Sequence, residues 1–111
     1  MKKFLIVAII ALLGTVYANG VGGTYHCEGK NPNGGRYEGT VVISGDASSG
    51  YTFIWTIGSD SYQGTGTLSG DTLTVDWGAP EPVVYKVNAD GSELKGRWGP
   101  GGKGKEKLTR Q

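Results

Sequence analysis

Apolar and polar residues alternate along most of the chain after residue 20, and turn-forming residues interrupt the alternation about every 8–12 residues. A period of two is typical of β-strands that bury one face, and no stretch has the spacing of an amphipathic helix. The pattern predicts eight strands, at residues 23–28, 35–45, 51–57, 61–69, 72–78, 83–88, 93–98 and 105–110.

The connections between these strands are short and rich in Gly, Asn, Asp and Ser, as at residues 46–50 and 69–71. Strands joined by such turns must be antiparallel neighbours, which gives an up-and-down meander. One face of each strand is apolar and the other carries mostly Thr, Ser, Lys and Glu. Because no helix is predicted to cover the apolar face, we expect an all-β, eight-stranded antiparallel meander that closes into a small barrel. A folded-over sandwich is the alternative.

Glycines inside the predicted strands indicate tight curvature and close packing. If each turn sets the register of its hairpin, Gly64 lies between Trp55 and Trp77 on the two adjacent strands, and Gly66 lies between Phe53 and Val75. By the same count, Gly96 lies between Tyr85 and Leu108. Each glycine would then face bulky inward side chains that cover its missing side chain, a device of curved sheets.

The first 18 residues have the pattern of a cleaved signal peptide. A positive start, Met1–Lys3, precedes the apolar run 4–13, and Val16-Tyr17-Ala18 fits a cleavage site of small residues. The apolar run is short for a membrane-spanning anchor, which is the alternative. We therefore expect a single domain over residues 19–111, exported to the periplasm or secreted, with no membrane association after cleavage.

Composition excludes several function classes. Without Lys2 and Lys3, nine basic residues face ten acidic ones, a net charge of −1 that gives no reason to expect nucleic acid as a partner. The chain has one His and one Cys, so no disulfide framework and no Cys/His zinc cluster can form within it. No cofactor and no metal site are predicted.

Catalytic groups are hard to assemble from this sequence. His26 and Cys27 are adjacent on a strand and point to opposite faces, so they cannot pair, and Cys27 is predicted to be a buried, inert thiol. The acids lie in turns or are expected to face outward, the latter being Glu28, Glu38, Asp76, Glu93 and Glu106. Lysines of the last hairpin, at positions 103, 105 and 107, are too few to predict an anion site. We expect a protein that is not an enzyme, a small secreted enzyme being the lesser alternative.

Aromatic side chains are the strongest candidates for function, because small barrels often bind ligands at a mouth lined by Trp and Tyr. The candidate ligand-binding residues are Trp55, Trp77, Trp98, Tyr37, Tyr62 and Tyr85. Trp98 is expected nearest the opening, because it ends its strand beside a glycine-rich loop. The alternative is that these rings only fill the interior, since eight short strands enclose little more than side-chain volume.

The predicted meander with inward Trp resembles the avidin–lipocalin group of barrels in architecture, and this likeness implies no particular binding residue. The segments YHCEGKNP (25–32), YEGTV (37–41), YQGTG (62–66), LTVDWG (73–78) and VVY (83–85) resemble small exported bacterial proteins, some of which are labelled fibronectin-binding protein. We therefore expect a non-enzymatic exported binding protein for a small apolar ligand or an extracellular protein. The second resemblance implies a host-matrix adhesin as the alternative.

Overall fold

The computed structural model describes residues 20–111, and the predicted signal peptide, residues 1–18, lies outside this part of the chain. A single 3-10 turn at Pro100–Gly102 is the only helical segment described, and no helix in residues 20–111 is long and apolar enough to cross a membrane. The strands are β1 (Gly23–Lys30), β2 (Arg36–Asp46), β3 (Gly50–Ile57), β4 (Asp60–Ser69), β5 (Thr72–Asp76), β6 (Val83–Val87), β7 (Glu93–Trp98) and β8 (Gly104–Arg110).

The eight strands form a closed antiparallel barrel in sequence order, so the predicted fold class is confirmed. Closure is made by β1 and β8, which pair from Tyr25↔Arg110 to Lys30↔Lys105. Closing the sheet removes the two exposed edges that an open meander would leave. The inward positions form one continuous core, with Tyr25, Phe53, Leu73, Tyr85 and Leu94 fully buried.

One end of the barrel is closed by the segment before β1 and by the last residue of β8. Val21 is fully buried, and the Tyr25 hydroxyl donates to its carbonyl oxygen at 2.8 Å and to that of Gly91 at 3.0 Å. The Arg110 guanidinium donates to the carbonyl oxygens of Gly20, Gly22 and Gly91 and lies 5.2 Å from the centre of the Tyr25 ring. These contacts satisfy backbone acceptors where the strands end.

The predicted packing of glycines against large inward side chains is confirmed, but the register is two residues off in two hairpins. Only Gly58 and Ser59 separate β3 from β4, so Trp55 pairs with Tyr62 and Phe53 pairs with Gly64. At β7 and β8, Gly96 pairs with Glu106 rather than with Leu108. The expected pairings of Gly66 with Val75 and of Gly96 with Tyr85 are observed. A shift of two preserves the face of every side chain and changes only its neighbours.

The turn between β2 and β3 is organised by one carboxylate. Asp46 accepts hydrogen bonds from the backbone N–H groups and hydroxyls of Ser48 and Ser49, at 2.8–2.9 Å. These bonds lower the pKa of Asp46 from 3.8 to about 2, and the bond from the Ser48 hydroxyl has the largest effect. A depressed folded-state pKa stabilises the fold above the unfolded pKa and loses that effect as the pH falls through the folded pKa.

We therefore expect Asp46→Ala to lower the melting temperature at pH 6 and to have a smaller effect at pH 2, where the native carboxyl is itself becoming protonated. Thermal unfolding of both proteins at the two pH values measures this. A difference that persists undiminished at pH 2 would contradict the role of the charged carboxylate.

Candidate functional site

The end of the barrel opposite Arg110 contains a cavity. In an up-and-down barrel alternate loops lie at the same end, and here these are the loops that follow β1, β3, β5 and β7. The cavity has a volume of about 380 Å³, within the usual range for small-molecule sites. Its lining residues are Asn31, Tyr37, Trp55, Ile57, Tyr62, Trp77, Val83, Trp98 and Glu106.

Five of the six aromatic residues predicted to line a mouth are brought together by this cavity, namely Tyr37, Trp55, Tyr62, Trp77 and Trp98. The sixth, Tyr85, is fully buried and lies outside the lining, where it stacks on Phe53 with ring centres 5.6 Å apart. Tyr62 pairs with Trp55 and shares its face, and it lies at the rim of the cavity with 43% of its surface exposed. Tyr85 therefore fills the core, whereas the other five rings line the cavity.

The aromatic rings at the mouth stand at steep angles to one another. The Trp77 and Trp98 ring centres lie 5.8 Å apart with an 88° angle between ring planes. Tyr37 lies 6.2 Å from Trp98 at 65°, and Tyr62 lies 6.4 Å from Trp77 at 74°. Such edge-to-face contacts are favourable, and they direct the ring faces of the mouth in different directions.

Two of these indoles are held by different means. Trp77 lies one residue beyond β5, and its Nε1 donates to the carbonyl oxygen of Glu81 at 3.1 Å. Trp98 pairs with Gly104, and a Cβ on that glycine would lie only 2.5 Å from the indole. The Trp98 Nε1 is buried and has no hydrogen-bond partner within residues 20–111.

Glu106 faces the interior of the barrel, so the predicted outward position of this residue is wrong. It is only 7% exposed, and it is the one charged side chain in the described chain that is buried. Its Oε1 accepts a hydrogen bond from the Tyr37 hydroxyl at 2.7 Å, and its Oε2 accepts one from Trp55 Nε1 at 2.9 Å and one from the Tyr85 hydroxyl. The signal was present in the sequence, because Glu106 is two residues from the inward-facing Leu108 and shares its face.

Two glycines make room for this carboxylate. Glu106 pairs with Gly29 on β1 and with Gly96 on β7. Beyond these glycines lie Tyr37, opposite Gly29, and Tyr85, opposite Gly96. A Cβ on Gly29 would lie 2.0 Å from the Tyr37 ring, and one on Gly96 would lie 2.6 Å from the Tyr85 ring. Each tyrosine thus extends across a glycine to reach the carboxylate from its own side.

The surroundings of Glu106 donate hydrogen bonds and supply no positive charge. Burial raises the pKa of the Tyr37 and Tyr85 hydroxyls, and the negative charge of the Glu106 carboxylate is the next largest cause. Both hydroxyls therefore remain protonated donors. Within the described residues, no Lys, Arg or His forms a salt bridge with Glu106. Its strand neighbours Lys105 and Lys107 are exposed on the opposite face. Burial of a carboxylate without a counter-charge is costly unless the group is hydrogen-bonded, and here three neutral donors provide the compensation.

Cys27 is fully buried, as predicted, and unpaired. Burial raises the pKa of the Cys27 thiol well above its usual range, and the nearby Glu106 carboxylate is the next largest cause. Because the thiolate is the reactive species, we expect no reaction with an aromatic disulfide reagent at pH 8 in the native state and one thiol per chain after unfolding in urea. Rapid reaction of the native protein would show that the thiol is accessible.

One cluster on the outer face has ligand types suited to a metal ion. The ligand atoms of His26, Glu28 and Glu38 lie within 4.8 Å of one another, and His26 Nε2 lies 3.5 Å from Glu28 Oε2. His26 is half-buried and both carboxylates are exposed. Exposed groups of this kind often form weak salt bridges without an ion.

A basic row crosses four neighbouring strands of the outer surface. In register, Arg36 pairs with Lys30, Lys30 with Lys105, and Lys105 with Arg97. These residues are exposed and line a depression of about 570 Å³. The sequence suggested only the lysines of the last hairpin, whereas the register places Lys30 and Arg97 beside Lys105, and Arg36 beside Lys30. Like charges opposite one another on a sheet repel, so the row itself favours an anionic partner, although glutamates also line the depression.

Comparison of the chain with protein-family models, with curated proteins and with solved structures gives no match. The fold and site define a class in structural terms only: a small antiparallel β-barrel with an aromatic cavity at one end.

Proposed function

We propose that this protein binds a small molecule in the aromatic cavity and is not an enzyme. The observation that carries the proposal is the cavity of about 380 Å³ around which Tyr37, Trp55, Tyr62, Trp77 and Trp98 converge. The opposite end of the barrel is closed by Val21 and Arg110, so ligands would enter at this mouth.

The residues that line the cavity support binding over catalysis. The cavity lining contains one acid, Glu106, and no histidine or second carboxylate, whereas acid–base hydrolysis of glycosides uses a pair of acids. Export to the periplasm or the outside, proposed from residues 1–18, places the ligand outside the cytoplasm.

Binding of the neutral apolar dye N-phenyl-1-naphthylamine tests the proposal. We expect dye fluorescence to rise on addition of the protein and the tryptophan emission to fall. Val83 and Val84 provide a matched pair of sites, because Val83 lines the cavity and Val84 is 41% exposed on the outer face.

Val83→Phe is expected to fill the cavity and abolish dye binding, while Val84→Phe leaves it unchanged. Circular dichroism establishes that both variants are folded. Absence of dye binding to the native protein, or equal loss in both variants, would contradict a ligand site in this cavity.

The alternative function is contact with an extracellular protein, as the resemblance to proteins labelled fibronectin-binding implies. The observation that favours it is the basic row Arg36, Lys30, Lys105 and Arg97, which fits an acidic protein surface. Binding to immobilised fibronectin should then weaken with salt and on Lys105→Glu, because exposed charges are screened. Binding that is insensitive to both changes would exclude the basic row as the contact.

A further inference from the structure

The aromatic cavity has one ionisable carboxylate in its lining and no basic residue. Glu106 lies in the lining with five aromatic side chains, two aliphatic side chains and one amide. Its oxygens accept hydrogen bonds from Tyr37, Trp55 and Tyr85, so the side chain is held as an acceptor. The only formal charge that this arrangement directs at the cavity is negative.

The aromatic rings also favour a positively charged ligand. The face of an aromatic ring is its negative side, and a cation over several such faces is bound more tightly than a neutral group of the same shape. Trp77 stands at 88° to Trp98 and at 74° to Tyr62, so the planes of the rings that line the mouth are steeply inclined to one another. Tryptophan is the ring type that binds cations best, and three tryptophans line this cavity.

Two independent features therefore favour the same charge on a ligand. The Glu106 carboxylate lacks a basic partner within residues 20–111, and a cation in the cavity would provide the missing counter-charge. The ring faces favour a cation that also has an apolar surface, which a bare metal ion or a strongly hydrated ammonium lacks.

We propose that the ligand of this cavity is an alkylated ammonium compound, with its methylated cationic group between Trp77, Trp98 and Tyr62 and its charge directed towards Glu106. This inference rests on the proposed function, since it names the class of ligand that the same cavity binds.

The test compares choline with 3,3-dimethylbutan-1-ol, which has the same shape with a carbon atom in place of the nitrogen and no charge. Binding of each compound is followed by tryptophan fluorescence and by calorimetry. We expect choline to bind roughly tenfold or more tightly than the neutral compound.

Two substitutions separate the contributions of charge and rings. Glu106→Gln removes the charge with little change in shape, and we expect it to eliminate most of the preference for choline. Should that variant fail to fold, Trp77 provides a second test away from the buried network. Trp77→Leu should weaken choline binding and spare the neutral compound, whereas Trp77→Phe, which keeps an aromatic face, should retain most of the preference.

Equal or tighter binding of the neutral compound would overturn the cation assignment and leave the proposed small-molecule function standing. Binding of neither compound would also overturn the cation assignment. If N-phenyl-1-naphthylamine also fails to bind, the proposed function falls with it.

Discussion

Replacement of Glu106 by alanine is expected to lower the free energy of unfolding by about 3 kcal/mol or more. The substitution removes the acceptor of three hydrogen bonds. It leaves the Tyr37 and Tyr85 hydroxyls without that partner, and Trp55 Nε1 retains only its longer bond to the Tyr85 oxygen, at 3.3 Å. Each buried donor that loses its partner costs about 1–3 kcal/mol, and the Tyr85 hydroxyl is the most deeply enclosed of the three. Urea unfolding followed by tryptophan fluorescence measures the change.

Glu38→Ala is the matched control for this prediction. Glu38 lies on β2 next to Tyr37, but its side chain is exposed on the outer face. A surface substitution of this kind changes stability by about 0.5 kcal/mol or less. If the two alanine variants were equally stable, the carboxylate of Glu106 would not hold the barrel interior together.

The second large effect is expected from Gly96→Ala. The added methyl group would lie 2.6 Å from the ring of Tyr85, which is fully buried, so the ring must shift against its neighbours to accommodate it. Overpacking of this kind costs about 1–3 kcal/mol. Because the Tyr85 ring must shift, its hydrogen bond to Glu106 is expected to weaken as well. The measurement is again the free energy of unfolding in urea.

Gly35→Ala is the control, since Gly35 is exposed and an added Cβ would meet only the side-chain ends of Asn31 and Asn33, at 3.3–3.4 Å. In a Tyr85→Leu background the cost of Gly96→Ala should fall, because the clashing ring is gone, and a double-mutant cycle measures this coupling. No coupling between the two sites would disprove the proposed contact.

Strand positions, the antiparallel order and the inward aromatic face were determined by local features of the sequence. Period-two alternation sets which side chains face inward, and short turns leave antiparallel neighbours as the only arrangement. The pairing of small with large residues was also predictable, because a glycine inside a strand needs a neighbour that covers it. Trp98 was expected nearest the opening because it ends its strand beside a glycine-rich loop; it lines the cavity, and Tyr62 is the more exposed ring.

The register and the site depended on tertiary structure. The turn is centred between Gly58 and Ser59, one residue earlier than the expected pairing of Trp55 with Gly64 requires, and this moves every pairing in the hairpin by two positions. Turn-forming residues in the sequence show where a turn lies but not which two residues are at its centre. Only the closure of β8 on β1 places Gly29 beside Glu106, with Gly96 on the other side. A glutamate is exposed in most strands, so its type predicted an outward position. It faces inward because Tyr37, Trp55 and Tyr85, which lie far apart in sequence, meet there and donate to its carboxylate.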